Sequence, residues 1–453
     1  MFLGVLAVAI LARVAVTAAY QPALLFFDST TYLDNIREFQ PHELRPLGYV
    51  AFLAAAIDIG NLSFVPVAQH VLGLGLGVML YALLLRLGVR PWLAAIGAAP
   101  VLLDGFQLAF EQHLLAESLF EFAFVTACVA LLWRRRPTIA LAAVAGVALA
   151  VAGLTRNVGM AAVAPALVAT LLLAPRRPWP ALALLLAFAV PVAGYAAWYD
   201  DVHGEYKVTG LGGRYLYGRV AGFADCDKLA LPPAERVVCP TAPAERNLTP
   251  SQYVWRSRSP LFNVPRTDNR RNIVAGRFAK RVIRRQPLDY AMTVARDSLL
   301  AFSPVAALSS DDSPDRWWFK PQYTYWEPAT IERLRRYGYD RGEVRPDLAR
   351  ALRQYQGVVH LHGPLLAALL LTALLAVAGV GRARASGLRI ATFLLTFTAL
   401  AMFVGAVATS DFTWRYRMPL VVLIPPAAAL ALTALTRRRE DGRAAAPTDA
   451  GAR

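Results

Sequence analysis

Charged side chains are scarce in this chain of 453 residues. Asp, Glu, Lys and Arg make up 17% of the sequence, whereas hydrophobic residues make up 57% and the mean hydropathy is +0.42. A soluble protein of this size has too little interior to bury so much apolar surface, and a disordered chain would carry far fewer apolar residues. The composition therefore predicts a polytopic α-helical membrane protein.

Cysteine is scarce as well, with three residues, which excludes a small disulfide scaffold. Cys128 lies in an apolar run, where a free thiol acts as a small core residue. Cys226 and Cys239 lie in one long polar region, and outside a membrane such a pair is expected to form a disulfide. Two free thiols are the alternative.

The motifs of soluble nucleotide-using enzymes are missing. The sequence contains no P-loop, Rossmann fingerprint, nucleophile elbow or protein-kinase signature. Its six histidines form no recognised metal-ligand spacing. The acids Asp28, Asp104 and Glu111 are the only group that we consider for Mg²⁺ or Mn²⁺, ions that prefer oxygen ligands. The pattern by itself assigns no metal site.

Long apolar runs are what the sequence does contain. A membrane helix needs about 20 mostly apolar residues, and about ten such spans are predicted. The third is short and should continue past Asp104, while the stretch from Leu47 to Ile57 is too short to span and should lie at the interface. The spans are Phe2–Ala19, Phe64–Leu85, Pro91–Leu103, Leu114–Trp133, Thr138–Leu154, Val158–Leu173, Ala181–Trp198, Gly357–Val380, Ile390–Ala408 and Met418–Leu435.

Basic residues mark one side of these spans. The net charge is +16, which in a soluble protein would suggest nucleic acid, but arginines in short loops between apolar runs are typical of cytoplasmic loops. We therefore predict no nucleic-acid partner. The clusters are Arg86 and Arg90, Arg134–Arg136, Arg176 and Arg177, Arg382, Arg384 and Arg389, and Arg437–Arg439.

This sidedness predicts the domain organisation. Residues 1–199 form an N-terminal transmembrane module with an outer first loop at 27–45, and residues 357–436 form the C-terminal transmembrane helices. Residues 200–356 should form a small mixed extracytoplasmic domain, and residues 437–453 a disordered cytoplasmic tail. Abundant alanine with little lysine is typical of GC-rich bacterial genomes, so we expect a multi-pass protein of a bacterial plasma membrane.

Ionisable residues collect at the predicted outer ends of the spans. Each costs about 2.5–3.5 kcal/mol inside lipid, so each calls for a reason. We predict that acids, arginines and aromatic residues from four junctions meet in one outer cavity. The residues are Asp28, Tyr32, Arg45, Asp104, Glu111, His113, Glu117, Arg156, Arg415, Tyr416 and Arg417.

Spacing groups some of these residues. Asp104, Gln107 and Glu111 follow an i, i+3, i+7 pattern, and His113 and Glu117 follow an i, i+4 pattern. Each set would share one face of a helix. Polar contacts between helices are the alternative to a functional role for each of them.

Several sequence elements, in this order, resemble the GT-C glycosyltransferases that use polyprenyl-phosphate sugars, the group of the protein O-mannosyltransferases and the lipid A aminoarabinose transferase. Their order and sidedness carry the resemblance, which covers the membrane portion. The elements are Arg13 in the first span, Asp28 with Tyr32, the Arg-Pro-x-Gly-Tyr stretch of Arg45–Tyr49, Ala116–Phe120, Leu154–Arg156 and Arg415–Pro419.

The resemblance implies an inverting transfer of a sugar from a polyprenyl-phosphate donor to an extracytoplasmic glycan, lipid or protein. Asp28 would be the catalytic base, and Arg156, Arg415 and Arg417 would neutralise the leaving phosphate. The remaining residues of the predicted cavity would bind the substrate. Many family members carry two adjacent acids where this chain has Asp28 followed by Ser29, which weakens a metal assignment. Outer aromatic residues would form the acceptor side, and these are Trp317, Trp318, Tyr323, Tyr325 and Trp326.

Alternatives remain open at this stage. A helix cap is the alternative for Asp28, and an interfacial belt with Trp414 is the alternative for Arg415 and Arg417. A transporter or lipid flippase would place charges near the bilayer midplane and break helices in matching halves. A polymerase or ligase using diphosphate donors and a sugar-binding membrane scaffold are further alternatives. The sequence does not determine the sugar, the acceptor or the oligomeric state.

Overall fold

The computed structural model describes residues 1–264, 268–304, 316–322 and 328–436, and helices dominate these residues. The predicted tail over 437–453 lies outside them. The N-terminal helices are α1 (Phe2–Ala19), α2 (Phe27–Glu38), α3 (Gly48–Ile59), α4 (Phe64–Arg86), α5 (Pro91–Leu103), α6 (Gly105–Gln112), α7 (Glu117–Leu132), α8 (Ile139–Thr155), α9 (Val163–Leu173) and α10 (Trp179–His203).

The chain then forms a helical region, which we call the outer region after its predicted side of the membrane, and three closing helices. The outer helices are α11 (Gly212–Ala221), α12 (Pro233–Arg236), α13 (Pro243–Arg246), α14 (Pro250–Trp255), α15 (Asp268–Arg285), α16 (Pro287–Leu299), α17 (Pro328–Arg335) and α18 (Pro346–Val358). The closing helices are α19 (Gly363–Ala378), α20 (Arg389–Thr409) and α21 (Met418–Thr436). In the described part of the chain, one two-stranded antiparallel sheet pairs β1 (Tyr20–Gln21) with β2 (Glu343–Val344).

Helices form at every predicted apolar run, which confirms a polytopic helical membrane protein. Within the described residues, five helices are long and apolar enough to cross a membrane, namely α1, α4, α10, α20 and α21 with the turn before it. Counting the bent pairs α5–α6 and α18–α19 as single spans gives seven in this part of the chain, fewer than the ten predicted. Helices α3 and α8 are shorter apolar helices, as α3 was expected to be. A small mixed outer domain stays a prediction.

The two bends meet at Asp104. Its side chain caps α6, because Oδ1 accepts hydrogen bonds from the Phe106 N–H at 2.8 Å and the Gln107 N–H at 3.4 Å. Its other oxygen accepts from the Leu361 N–H at 2.7 Å, in the break between α18 and α19. The axes of helices α5 and α6 differ in direction by 44°, and those of α18 and α19 differ by 46°. Asp104 therefore holds both broken spans together.

The outer region has two parts. Residues 217–282 share an apolar core that includes Tyr217, Tyr253 and Phe278, and Cys226 and Cys239 form a disulfide at its edge with their Cα atoms 6.3 Å apart. Helices α17 and α18 pack on the N-terminal module instead, where Arg333 pairs with Asp34 at 2.6 Å. Helix α10 runs through the domain boundary predicted at residue 199.

Arginine-rich helix ends meet on one side of the bundle. The Arg86 side chain donates to the Trp133 carbonyl, which joins the ends of α4 and α7. Arg382 donates to the Thr436 carbonyl at 3.2 Å, which joins the loop after α19 to the end of α21. Arg437–Arg439 lie outside the described residues. Because the helices alternate in direction, the starts of α7 and α21 lie at the opposite end.

Candidate active site

A cavity of about 530 Å³ opens at that opposite end. Its walls come from the start of α2, the loop after it, the α11 and α14 helices, and the segment before α21. The residues that line it are Phe26, Phe27, Asp28, Thr31, Leu44, Arg45, Tyr215, Pro250, Ser251, Val254, Trp255, Arg316, Trp317, Ser410, Asp411, Thr413, Arg415 and Tyr416.

Asp28 lies in the first turn of α2 at the wall of this cavity. Its Oδ1 accepts a hydrogen bond from Arg45 Nη2 at 2.8 Å, and its Oδ2 accepts one from Arg415 Nη1 at 2.8 Å. The helix is fixed by Ser29, whose hydroxyl accepts from the Phe26 N–H and donates to the Leu114 carbonyl, both at 2.9 Å. The carboxylate is therefore held rigidly between two guanidinium groups.

Arg415 connects Asp28 to a second acid. It lies in a 3₁₀ turn, Trp414–Arg417, at the start of α21, and its Nε donates to Glu117 Oε1 at 2.6 Å. Arg156 donates to the same Glu117 oxygen from the end of α8. We call these five residues, Asp28, Arg45, Glu117, Arg156 and Arg415, the open cluster. It joins four distant parts of the sequence through alternating charges.

A smaller cavity lies beside the open cluster, between residues of α7, α20 and the start of α21. Glu117 lines it, and the other Glu117 oxygen, Oε2, has no hydrogen-bond partner among the described residues. The Arg156 guanidinium lies 5.5 Å from the centre of the Tyr416 ring, which lines both cavities. Its apolar wall consists of Phe120, Val158, Met402, Ala406, Met418 and Pro419, and Glu121 lines it as well.

The guanidinium groups control the charge of Asp28. Burial alone would raise the pKa of this carboxyl group, but Arg45 and Arg415 outweigh burial and hold its pKa well below the usual range. Burial opposes the charge of Arg45 as well, yet Asp28 keeps the pKa of Arg45 well above its ordinary value. Burial raises the pKa of Tyr32 to about 12, so this phenol stays neutral. Asp28 is thus ionised at neutral pH.

Tyr32 lies behind Asp28, outside the cavity lining. It is almost fully buried, and its ring meets the Tyr49 ring edge-on at 4.7 Å. Tyr49 in turn donates from its hydroxyl to Gln69 Oε1 at 2.8 Å. The Arg-Pro-x-Gly-Tyr stretch of the sequence therefore supplies one cavity residue, Arg45, and one packing residue, Tyr49.

Glu111 is not at the cavity. Its carboxylate is fully buried and accepts two hydrogen bonds from Arg13, each at 2.8 Å, and lies 2.7 Å from His70 Nδ1. Gln107 joins Glu111 to Glu121 with contacts of 3.2 and 2.7 Å. We call these five residues, Arg13, His70, Gln107, Glu111 and Glu121, the sealed cluster. It ties α1, α4, α6 and α7 together inside the bundle.

Three further predicted residues also point away from the cavity. Asp104 is the helix cap described above. His113 is buried, with Nδ1 donating to the Ala109 carbonyl at 2.6 Å, and its ring packs on Trp317 at 5.6 Å. Arg417 donates to the Leu361 carbonyl, and its guanidinium lies 4.7 Å from the Trp414 ring. The structure therefore separates Arg417 from Arg415, although only one residue lies between them.

The three acids considered for Mg²⁺ or Mn²⁺ have separate partners. Asp104 binds backbone N–H groups, Glu111 binds Arg13 and His70, and both oxygens of Asp28 accept from arginines. Among the residues that the structure describes, no group of three His, Cys, Asp or Glu side chains could hold a metal ion. Two guanidinium groups on Asp28 would also repel a cation.

The aromatic side of the cavity differs partly from the prediction. Trp317 lines the cavity, but Trp318 stacks under Arg353 at 3.7 Å instead. Tyr323, Tyr325 and Trp326 lie outside the described residues. Tyr215 and Trp255 were not predicted. They lie on α11 and α14, and no motif marks them, because only the packing of the outer helices brings them to the cavity.

Residues 56–205 match the family model described as dolichyl-phosphate-mannose-protein mannosyltransferase. The match contains Glu111, Glu117 and Arg156, whereas Asp28 and Arg415 lie outside it. It confirms the predicted resemblance to the protein mannosyltransferases over this third of the chain. Among curated proteins, no relative matches the chain.

The solved structures that match this chain are only weakly similar to it. The protein O-mannosyltransferase complex of S. cerevisiae bound to its sugar donor is 15% identical, with 48% of this chain and 36% of that chain covered and a TM-score of 0.36. The oligosaccharyltransferase of Archaeoglobus fulgidus in the apo form is 15% identical, with 96% and 50% covered and a TM-score of 0.42. The same archaeal enzyme with an inhibitory peptide and dolichol-phosphate is 14% identical, with 95% and 50% covered and a TM-score of 0.41. This chain thus spans half or less of each of those chains.

Proposed function

We propose that this protein is an integral membrane glycosyltransferase that moves a sugar from a polyprenyl-phosphate donor to an acceptor outside the cytoplasm, with inversion. The observation that carries the proposal is the open cluster, in which the ionised Asp28 lies at a solvent-open cavity between two guanidinium groups. A base for the acceptor and cations for a phosphate are the two functions that this transfer requires.

The sidedness of the bundle supports a site on the outer face. The cavity lies at the opposite end from the arginine-rich helix ends, and such ends are typical of the cytoplasmic side. We propose a bacterial plasma membrane as the location. A polyprenyl-phosphate head group in the outer leaflet would then reach Arg415 and Arg156 from the membrane side, past the apolar wall of the smaller cavity.

Asp28 takes up the proton of the acceptor hydroxyl in this mechanism. The acceptor oxygen forms a bond to the anomeric carbon while the bond from that carbon to the phosphate oxygen breaks. Arg415 and Arg156 neutralise the charge that develops on the leaving phosphate. The products are the glycosylated acceptor and polyprenyl phosphate, and the proton passes from Asp28 to water in the cavity.

The ion pairs around Asp28 provide a way to activate the base. Arg415 is shared between Asp28 and Glu117, and Arg156 also binds Glu117. A phosphate that enters between the arginines competes with these acids for the same N–H donors. Each hydrogen bond that Asp28 loses makes its carboxylate more basic. Donor binding therefore prepares Asp28 to accept a proton.

Glu117 and the aromatic wall would position the sugars. The free lone pairs of Glu117 Oε2 suit a sugar hydroxyl of the donor. Tyr215, Trp255 and Trp317 line the same cavity as the arginines, with Trp317 5.7 Å from the Arg415 guanidinium, and aromatic faces pack well against the C–H faces of an acceptor sugar or against apolar groups. Arg417, Asp104 and Glu111 contact other groups and have no place in the proposed donor site.

Transfer from a panel of labelled polyprenyl-phosphate sugars, measured with the purified protein in vesicles, tests the proposal. Asp28→Asn should lower the transfer rate about 10²–10⁴-fold, because the amide cannot take up a proton. The matched control is Asp58→Asn, since Asp58 is an exposed acid at the end of α3. Transfer by Asp28→Asn at the wild-type rate would exclude Asp28 as the base.

A further inference from the structure

Helix α16 exposes an apolar stripe to its surroundings. Leu288, Met292 and Leu299 are 75, 62 and 67% exposed. Positions 288, 292, 295 and 299 follow i, i+4, i+7, i+11 spacing, so they lie on one face of the helix. The opposite face carries Tyr290 and Val294, which pack against the protein. The stripe is therefore the outward face of a docked helix.

Both ends of α16 are fixed at the outer ends of membrane spans. Near its start, the Tyr290 hydroxyl donates to the Ala408 carbonyl at 2.8 Å, one residue before the end of α20. Just past its end, a Cβ atom at Gly363 would lie 2.2 Å from the Ser303 carbonyl oxygen, so the chain after α16 presses on the start of α19. Helix α16 thus runs across the outer ends of α19 and α20.

The surroundings of the stripe fit a lipid surface. Exposed apolar residues continue down the spans below it, with Leu365 near the start of α19 and Val404 in the outer half of α20. Exposed basic residues flank the stripe at Arg284, Arg285 and Arg296. Apolar and basic groups along one edge of a surface helix are typical of interfacial helices that bind anionic lipids.

We propose that α16 is an interfacial helix that docks the outer subdomain onto the lipid bilayer. The apolar stripe enters the boundary between head groups and acyl chains, and Arg284, Arg285 and Arg296 contact the phosphates of anionic lipids. This binding surface is independent of the proposed glycosyl transfer, because it rests on the position of α16 relative to the spans.

Quenching of a site-specific fluorophore by lipid tests the proposal. An environment-sensitive dye on Met292→Cys, or on Leu299→Cys if the first variant folds poorly, is measured in nanodiscs that hold one protein and contain brominated lipids. The native cysteines do not interfere, since Cys128 is buried and Cys226 is paired with Cys239. The control is Ala244→Cys, at an exposed alanine of the same outer region.

We expect strong quenching at position 292 and little at position 244. Equal quenching at both positions would overturn the proposal. The dye could instead stay unquenched in nanodiscs with one copy and be protected only in nanodiscs with two copies. The stripe would then bind a second copy of the chain, and this result would also overturn the proposal.

A second measurement tests the proposed contacts between the three arginines and anionic lipids. In the Met292→Cys protein without further substitutions, the dye should be quenched more strongly in phosphatidylglycerol than in phosphatidylcholine. Replacing Arg284, Arg285 and Arg296 by glutamine should remove this difference and leave the quenching in phosphatidylcholine unchanged. A difference that persists in the triple variant would exclude these arginines as the lipid contacts.

Discussion

The open and sealed clusters have nearly the same chemistry and differ in access. Each joins acids to arginines across distant parts of the chain, through contacts as short as 2.6–2.8 Å. In the sealed cluster, Glu121 lines the smaller cavity, the other four residues line neither described cavity, and Glu111 is fully buried. The open cluster lines both cavities, so a ligand can compete for its hydrogen bonds. An arginine–carboxylate pair is thus structural in one place and exchangeable in the other.

The largest effect is expected at Glu111. Replacing it by alanine leaves the buried Arg13 without its carboxylate partner, and breaking such a pair costs about 3–5 kcal/mol of stability. We expect Glu111→Ala to unfold readily in detergent, as followed by thermal unfolding, with transfer activity lost in proportion to folded protein.

A double variant separates charge from packing at this site. Arg13→Met with Glu111→Met removes both charges at similar volume and should recover most of the stability. If Glu111→Ala instead folds like the wild type but transfers no sugar, the sealed cluster would belong to the active site, as the sequence suggested for Glu111.

Arg415→Lys tests the open cluster. A lysine keeps the positive charge but has one nitrogen, so it cannot donate to Asp28 and Glu117 from two separate nitrogens as the guanidinium group does. Losing one donor to a developing oxyanion costs about 10²–10³ in kcat, so we expect a loss of about 10²-fold without unfolding.

Arg417→Lys makes the comparison sharper. Arg417 binds the Leu361 carbonyl rather than the open cluster, so its substitution should lower transfer much less than Arg415→Lys. Equal losses in kcat for the two variants would place both arginines at the donor phosphate.

The difference between Arg415 and Arg417 shows where sequence analysis stops. Both stand just above a predicted helix start, and the apolar runs located that start correctly. A 3₁₀ turn has three residues per turn, so residues two apart point in different directions. The sequence predicted the helix start at Met418 but not the 3₁₀ turn before it, and therefore not which arginine faces Asp28.

Glu111 shows the same limit in a helix. Its spacing from Asp104 and Gln107 correctly predicted polar residues on a common helical segment, but not the groups that this segment contacts. The space for its carboxylate comes from Gly73 on α4, and its partner comes from α1. Side-chain spacing gives a shared face, whereas the partner of that face depends on tertiary packing.

Gly73→Ala is expected to have an intermediate effect. A Cβ atom there would lie 2.0 Å from Glu111 Oε1, so the carboxylate must move away from Arg13. Overpacking of this kind costs about 1–3 kcal/mol, which the higher helix propensity of alanine offsets in part. Gly194→Ala on α10, where a Cβ meets nothing within 4 Å, is the control and should unfold at or above the wild-type temperature. Identical unfolding of Gly73→Ala and Gly194→Ala would contradict the tight fit of the sealed cluster.

The smallest effect is a pH shift from Arg45→Gln. Burial raises the pKa of Asp28, while Arg45 and Arg415 lower it further than burial raises it, so removing Arg45 moves the pKa upward. In the wild type the folded-state pKa lies below the unfolded value of about 4, and the charged carboxylate stabilises the fold above that pH and loses this contribution as the pH falls.

The acidic limb of kcat/KM, which reports the free enzyme, should therefore move up by about one pH unit in Arg45→Gln. Arg37→Gln, at an exposed arginine on the same helix as Asp28, should leave the limb in place. An acidic limb that stays in place or moves downward in Arg45→Gln would show that Asp28 does not set the pH dependence, and the open cluster would then resemble the sealed one in being structural.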